Sequence, residues 1–165
     1  MGAARGAGDS AVQAGVSSAP QVGLAAEFYV SDLTRSVRFY VDLLGFVVAY
    51  ERPEDCFAAI SLGSARIMLE QLRSTASASR EQIARGEWRP AELEHPFGRG
   101  VNLEIPCADV AAVAQRLAAA GWPALVDLHE KSYRVGDGSV RVRQLVVADP
   151  DGYLIRPSQR LEQGT

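Results

Sequence analysis

The chain has 165 residues, of which 47% are hydrophobic and 22% charged, with a net charge of −3 and a pI near 5.4. This suits one soluble domain that buries its core without a disulfide or structural metal, and it offers no positive footprint for nucleic acid or an anionic membrane. No apolar run approaches the ~20 residues that span a bilayer, and Cys56 and Cys107 lie far apart outside any CxxC pair, as expected of reduced thiols in a cytoplasmic protein.

Residues 1–20 are rich in Gly, Ala and Ser and lack the apolar stretch of a signal peptide, so they are expected to form a disordered leader before a single domain at 21–160. Val22 to Val30 is apolar and aromatic, a predicted strand. Ser31 and Asp32 offer a helix N-cap, and Leu33, Val37, Phe39, Tyr40, Leu43 and Leu44 recur at helical spacing, with Gly45 suited to the residue after the helix. Val47 to Glu51, Phe57 to Leu62 and Arg66 to Leu72 are predicted strands, the last two joined by Gly63-Ser64. The first unit, 22–72, is therefore β-α-β-β-β. Residues 73–99 form a polar connection with a short helix near Ser79 to Arg85, closed by the turn signals of His95-Pro96-Phe97-Gly98.

The second unit covers 100–160, followed by a tail at 161–165. Val101 to Cys107 alternates in polarity as a half-buried strand does. Asp109 can cap a helix through Val110, Val113, Leu117 and Ala120, which Gly121 ends. Pro123 to Leu128, Ser132 to Arg134, Val140 to Val147 and Tyr153 to Arg156 are strand candidates. Asp149-Pro150-Asp151-Gly152 is a hairpin turn by composition; it lacks the Lys and the helix of a phosphate-binding loop.

An internal repeat supports two units. Glu27-x-x-Val30-x-Asp32-Leu33 matches Glu104-x-x-Cys107-x-Asp109-Val110, and Leu44-Gly45-Phe46 matches Ala120-Gly121-Trp122, at an offset of about 76 residues. That is too long for a solenoid repeat. Val30-Ser31-Asp32-Leu33 with Phe39-Tyr40 and Leu44-Gly45-Phe46, followed much later by Asp149-Pro150-Asp151-Gly152-Tyr153, resembles the opening and closing motifs of the vicinal-oxygen-chelate superfamily of glyoxalases, bleomycin-resistance proteins and dioxygenases. The resemblance implies an α+β fold of two tandem β-α-β-β-β units forming a curved mixed sheet around a cleft.

In the enzymes of that superfamily, His, Glu or Gln side chains hold a divalent ion. The corresponding positions here are Ala25, Met68 (or Glu70 if the register slips by two), Asn102 and Arg156. Alanine has no donor atom and arginine no lone pair, so no metal and no cofactor is expected there. His95 and His129 fall at none of these positions, and His95 suits a turn or surface role better than general base catalysis. Glu27 and Glu104 are repeat equivalents predicted to share the pocket face, with Glu70 as a third carboxylate. Such a group could hold a hard cation, receive a cationic ligand, or pair with Arg156.

The remaining candidates are aromatic or basic. Tyr29, Trp88, Phe97 and Tyr133 could wall a ligand cleft, whereas Trp122, beside a helix end, is expected in the core. Arg134, Arg141 and Arg143 suit a solvated face. The resemblance thus implies a small-molecule binder of the bleomycin-resistance type, an antibiotic-sequestering homodimer with a cationic or aromatic ligand in its cleft. Expected contacts are Glu27, Tyr29, Trp88, Phe97, Asn102, Glu104, Tyr133 and Arg156. The alternative is a metal-dependent lyase or ring-cleaving dioxygenase with a displaced ligand set.

Overall fold

The structure, a computed structural model, describes residues 24–162. The expected leader, the first two residues of the first predicted strand and the end of the tail lie outside the described residues. Eight strands form two four-stranded mixed sheets. The first contains β1 (Leu24–Val30), β2 (Val47–Arg52), β3 (Phe57–Leu62) and β4 (Ala65–Gln71), in the order β1-β4-β3-β2. The second contains β5 (Asn102–Pro106), β6 (Val126–Val135), β7 (Gly138–Ala148) and β8 (Leu154–Leu161), in the order β5-β8-β7-β6. In each sheet the first strand runs parallel to the last, as β1 does to β4 and β5 to β8, and the other pairs are antiparallel. The repeat in the sequence is therefore a repeat in topology.

The helices between the first two strands of each unit are built alike. In α1 (Leu33–Arg38) the Asp32 carboxylate accepts from Arg35 N at 2.9 Å, and in α3 (Val110–Ala119) the Asp109 carboxylate accepts from Ala112 N at 3.0 Å. A glutamine from each closing strand satisfies one more free N–H. Gln71 accepts from Leu33 N and Gln159 from Val110 N. The first helix does not stay α-helical through Leu44, as its spacing predicts. Phe39–Leu44 is a π-helical turn that buries the adjacent residues Phe39 and Tyr40 together. A regular α-helix would set consecutive side chains about 100° apart; the wider turn lets both enter the core. Gly45 ends it at φ 85°.

One further expectation changes, and the short helix expected near Ser79 to Arg85 is found. The second unit has one strand where two short ones are predicted: β6 runs through Val126–Val135, with an irregularity between Val126 and His129 that carries the pairing past the polar stretch. The connection contains α2 (Arg80–Ala84), whose Ser79 and Gln82 form a reciprocal capping box.

One continuous core lies between the units. Phe28, Val30, Ile60, Ile67 and Leu69 of the first sheet join Ile105, Leu145, Val147 and Ile155 of the second, with Tyr40, Leu44, Val113 and Leu117 from the helical layer. Trp122 packs on this core as expected, its ring 4.9 Å from Phe39 and its Nε1 donating to Ala148 O. Arg116 reaches across to donate to Leu43 O.

The Asp149-Pro150-Asp151-Gly152 segment joins the antiparallel β7 and β8 as the hairpin turn its composition predicts, but its carboxylates are not left in solvent. Asp149 and Asp151 are both buried. Asp149 accepts from Tyr40 Oη, from Asp151 N and from Tyr153 N, each at 2.9 Å. Asp151 accepts from Ser31 N at 3.1 Å and Ser36 Oγ at 3.5 Å. The turn also packs tightly against the segment following the cis His95-Pro96 bond. A Cβ on Gly98 would lie 2.4 Å from Tyr153 Cα, and one on Gly152 would lie 2.2 Å from Pro96 Cβ.

Two predictions follow from this packing. Gly152 combines a φ of 88° with that contact, so Gly152→Ala is expected to cost roughly 2–4 kcal/mol, measured as a lowered urea midpoint. Burial outweighs the donors around Asp149 and pushes its carboxyl up to about 6. The folded state therefore binds more protons than the unfolded state between about pH 4 and 6, and this contribution, complete below pH 4, is lost as pH rises through 6. A shift of this size is on the order of 3 kcal/mol. Denaturation series for wild type and Asp149→Asn should therefore diverge with pH, the variant gaining relative stability from pH 4 to 7.5. A constant difference would refute this account of Asp149.

Candidate functional site

The face of each sheet turned away from the core carries the candidate residues. In β1, Phe28 and Val30 point inward, leaving Ala25, Glu27 and Tyr29 on the outer face. Their register partners on β4 are Arg66, Met68 and Glu70. Glu27 and Glu70 stand together: burial first, and then the charge of Glu27 and a hydrogen bond to it, raise the Glu70 carboxyl above the usual range.

The connection folds over this face. Trp88 N donates to Tyr29 Oη at 3.0 Å, and burial raises the Tyr29 hydroxyl. Arg89 is only 5% exposed, with its guanidinium 5.8 Å from the Tyr29 ring centroid. It donates to Ser74 O and, at 2.5 Å, to Glu87. Between sheet and connection lies a cavity of about 260 Å³, with Tyr29, Phe57 and Glu70 on the sheet side and Arg85, Glu87 and Arg89 on the other.

The second sheet presents a different surface. Glu104 on β5 lies opposite Arg156 on β8, and Arg156 Nη2 donates to the Glu104 carboxylate at 2.7 Å. Arg156 Nη1 lies 3.4 Å from both Tyr133 Oη and Gln144 Oε1. Gln144 Nε2 donates to Tyr133 Oη at 2.9 Å and lies 3.1 Å from His129 Nε2. His129 Nδ1 is 2.8 Å from Asp127 O. These partners fit an imidazole with its hydrogen on Nδ1 and a lone pair on Nε2. The surface is a closed hydrogen-bond network, apart from the buried Arg156 Nε, which has no hydrogen-bond partner among the described residues.

The three carboxylates predicted to converge do not. Glu27 and Glu70 meet on the first sheet, while Glu104 belongs to the second and is taken up by Arg156. The reason is how the units pack. They meet through helices and the Asp149–Tyr153 turn, and β1 and β5 each remain an outer strand of a separate sheet. Of the other expected contacts, Tyr133 joins Arg156, and Tyr29 adjoins Trp88, whose side chain is 62% exposed. Asn102 is exposed on β5. Phe97 packs against the core and donates its N–H to Asp151 O, away from both outer faces.

The metal-ligand positions fare no better in three dimensions. Ala25 supplies no donor, Met68 only a soft thioether, and the Arg156 guanidinium is occupied by Glu104. Among the described residues, no three His, Cys, Asp or Glu side chains are placed to hold an ion. The donor set does not fit the divalent ion that His, Glu or Gln side chains hold in the superfamily's enzymes.

This architecture, two β-α-β-β-β units behind a shared core, is matched by the family model for the glyoxalase/bleomycin resistance protein/dioxygenase superfamily over residues 22–156. The chain belongs to this superfamily. No curated protein matches it. Among solved structures, a superfamily member from Vibrio splendidus 12B01 is 34% identical, the alignment covering 82% of this chain and 95% of that one with a TM-score of 0.35. TioX from Micromonospora sp. ML1 is 19% identical, covering 84% and 98% with a TM-score of 0.58. Lactoylglutathione lyase from Agrobacterium tumefaciens is 16% identical, covering 82% and 91% with a TM-score of 0.52. The last two likenesses concern the fold alone.

Three residues of these surfaces were not candidates from the sequence. His129 and Gln144 share the face of Tyr133, and period-two alternation along an unbroken β6 would have placed His129 there. Arg89, inside a polar connection, gives no periodic signal. Its hydrogen bonds are local, so Arg89→Ala should loosen residues 73–99 while leaving the global unfolding midpoint nearly unchanged. Limited proteolysis, with cleavage confined to that segment, checks this.

Proposed function

We propose that this protein binds a small molecule without transforming it, in the manner of the bleomycin-resistance proteins of its superfamily. The Arg156–Glu104 pair carries this reading. Where a catalytic ion would need a lone pair, there is a guanidinium held at 2.7 Å by a carboxylate, and Ala25 occupies another ligand position. The outer face of the first unit supplies a cavity with aromatic and charged walls, as small-molecule sites have. The contacts proposed are Glu27, Tyr29 and Trp88 from that face and Asn102, Glu104, Tyr133 and Arg156 from the second.

A homodimer gives this site its second wall. β1 and β5 each pair on one side only, and Leu24 and Val101 beside them are 77% and 42% exposed. Unpaired edges and exposed apolar side chains favour covering by another chain. The first unit of one copy would then face the second unit of its partner. The free Cys56 and Cys107 accord with a cytoplasmic protein, and no helix among the described residues is long and apolar enough to cross a membrane.

The rival is a metal-dependent lyase or ring-cleaving dioxygenase with a displaced ligand set, favoured by the adjacent Glu27 and Glu70. Metal analysis of protein purified without chelator separates the two. We expect substoichiometric metal, and saturable heat on titration with a bleomycin-type glycopeptide or a cationic aromatic compound. A stoichiometric ion lost in Glu70→Gln would establish the rival.

A further inference from the structure

The charges around the first-unit cavity are unevenly satisfied. Two of its arginines have carboxylate partners: Arg52 lies 2.9 Å from Asp55, and Arg89 lies 2.5 Å from Glu87. Two others, Arg73 and Arg85, line the same cavity, and their side chains have no hydrogen bond or ion pair among the described residues. Arg89 adds a buried Nε with no acceptor among the described residues. One side of the cavity is therefore an arginine wall whose donors exceed the acceptors near them.

The sheet side has the opposite imbalance. Glu70 lines the cavity, and Glu27 stands beside it as a like charge. Arg52 is the nearby cation, but its guanidinium lies 3.7 Å from the Phe57 ring centroid and its Nε serves Asp55. Two neighbouring carboxylates are relieved by a cation placed against them. Guanidinium groups present planar forks that match a carboxylate. A ligand with only a positive group would leave Arg73 and Arg85 unmatched, and one with only a negative group would leave Glu27 and Glu70 in conflict. Size narrows the choice further. About 260 Å³ lies below the roughly 300–1,000 Å³ of drug-sized pockets, so the cavity suits a compact molecule.

We propose that this cavity selects a small zwitterion, with its ammonium group at Glu27 and Glu70 and its carboxylate at Arg73 and Arg85. The proposal rests on the reading that the outer face of the first unit is a ligand site, and it names the charge pattern of what that face accepts. The Tyr29 ring supplies an apolar wall beside the charged groups. The connection supplies the anion-binding side, so the segment between the two units becomes part of the specificity.

Three probes sharing a phenyl ring and a short chain test the charge pattern: phenylalanine, phenethylamine and 3-phenylpropionate. Each is titrated calorimetrically at pH 7.5 and low salt, where screening is least. Phenylalanine is expected to bind at least tenfold tighter than either singly charged probe. The double variant R73A/R85A should reduce its affinity to that of phenethylamine, and Glu70→Gln should reduce it to that of 3-phenylpropionate. Arg73 and Arg85 are exposed, so the double variant should retain the wild-type circular dichroism spectrum and unfolding midpoint. Equal affinity for phenylalanine and phenethylamine, indifference to R73A/R85A, or no binding of any probe would each overturn the proposal. Glycopeptide heat that persists without a zwitterion preference would sink the charge pattern and leave the binding function standing. A stoichiometric metal ion would sink that function directly.

Discussion

The buried carboxylates of Asp149 and Asp151 hold the two units in their relative positions. An unpaired carboxylate in a protein interior is too costly to persist, so each must be met by donors. The donors come largely from the other unit: Tyr40 Oη reaches Asp149, and Ser31 N and Ser36 Oγ reach Asp151. The Tyr153 ring that follows stacks on Phe28 at 3.9 Å, and its hydroxyl donates to Tyr29 O. A hairpin turn at the end of the second unit thereby fixes the start of the first helix and the end of the first strand. Burial nonetheless outweighs these donors and pushes the Asp149 carboxyl up to about 6. The same knot that orients the units therefore makes their union sensitive to pH.

This placement of the turn determines which surfaces remain for a ligand. The units meet through their helices, so each sheet turns its polar face outward, and β1 and β5 stay unpaired on one side. A cleft formed by both faces is not completed by these contacts. Glu27 with Glu70, and Glu104 with Arg156, are two half-sites on two sheets. In the homodimer proposed above, a second copy would supply the missing half, because the same exposed edges and faces are present on it.

The units themselves were legible in the sequence because each is specified locally. Strand alternation, aspartate caps and the terminal glycines of the helices occur twice, so each copy supports the other, and Asp32 and Asp109 cap their helices as their positions predict. The π-helical turn was not legible, since Leu33 to Leu44 keeps apolar spacing compatible with a plain α-helix and only the demand to bury both Phe39 and Tyr40 widens it. The acidic turn was legible as a hairpin, but its burial was not, because donors that permit it lie over a hundred residues away. The candidate site was legible by face and not by partner. Alternation places Glu27 and Tyr29 together, and likewise Glu104 near Arg156, but whether the two faces meet depends on unit packing, which alternation does not encode. Arg73, Arg85 and Arg89 lie in a segment without periodicity, and only its fold over β1 and β4 brings them to the cavity.

The two faces then divide the work. On the second unit the charges are consumed internally: Glu104 holds Arg156, Arg156 approaches Tyr133 and Gln144, and Gln144 approaches His129. A ligand would have to break these bonds to gain equivalent ones, so its polar contribution from this face is small. Such a network holds side chains in place and suits a rigid wall. On the first unit the balance is reversed, with Glu27 beside Glu70 and the Arg73 and Arg85 side chains without partners among the described residues. There a ligand adds compensation that the folded chain lacks. Two halves that share one topology and a glutamate at the same strand position therefore differ in the charge set against that glutamate. Opposite Glu104 the chain places an arginine, while opposite Glu27 it places Met68, with Glu70 alongside. That one difference in register partners leaves the first unit as the face with charge still to be matched.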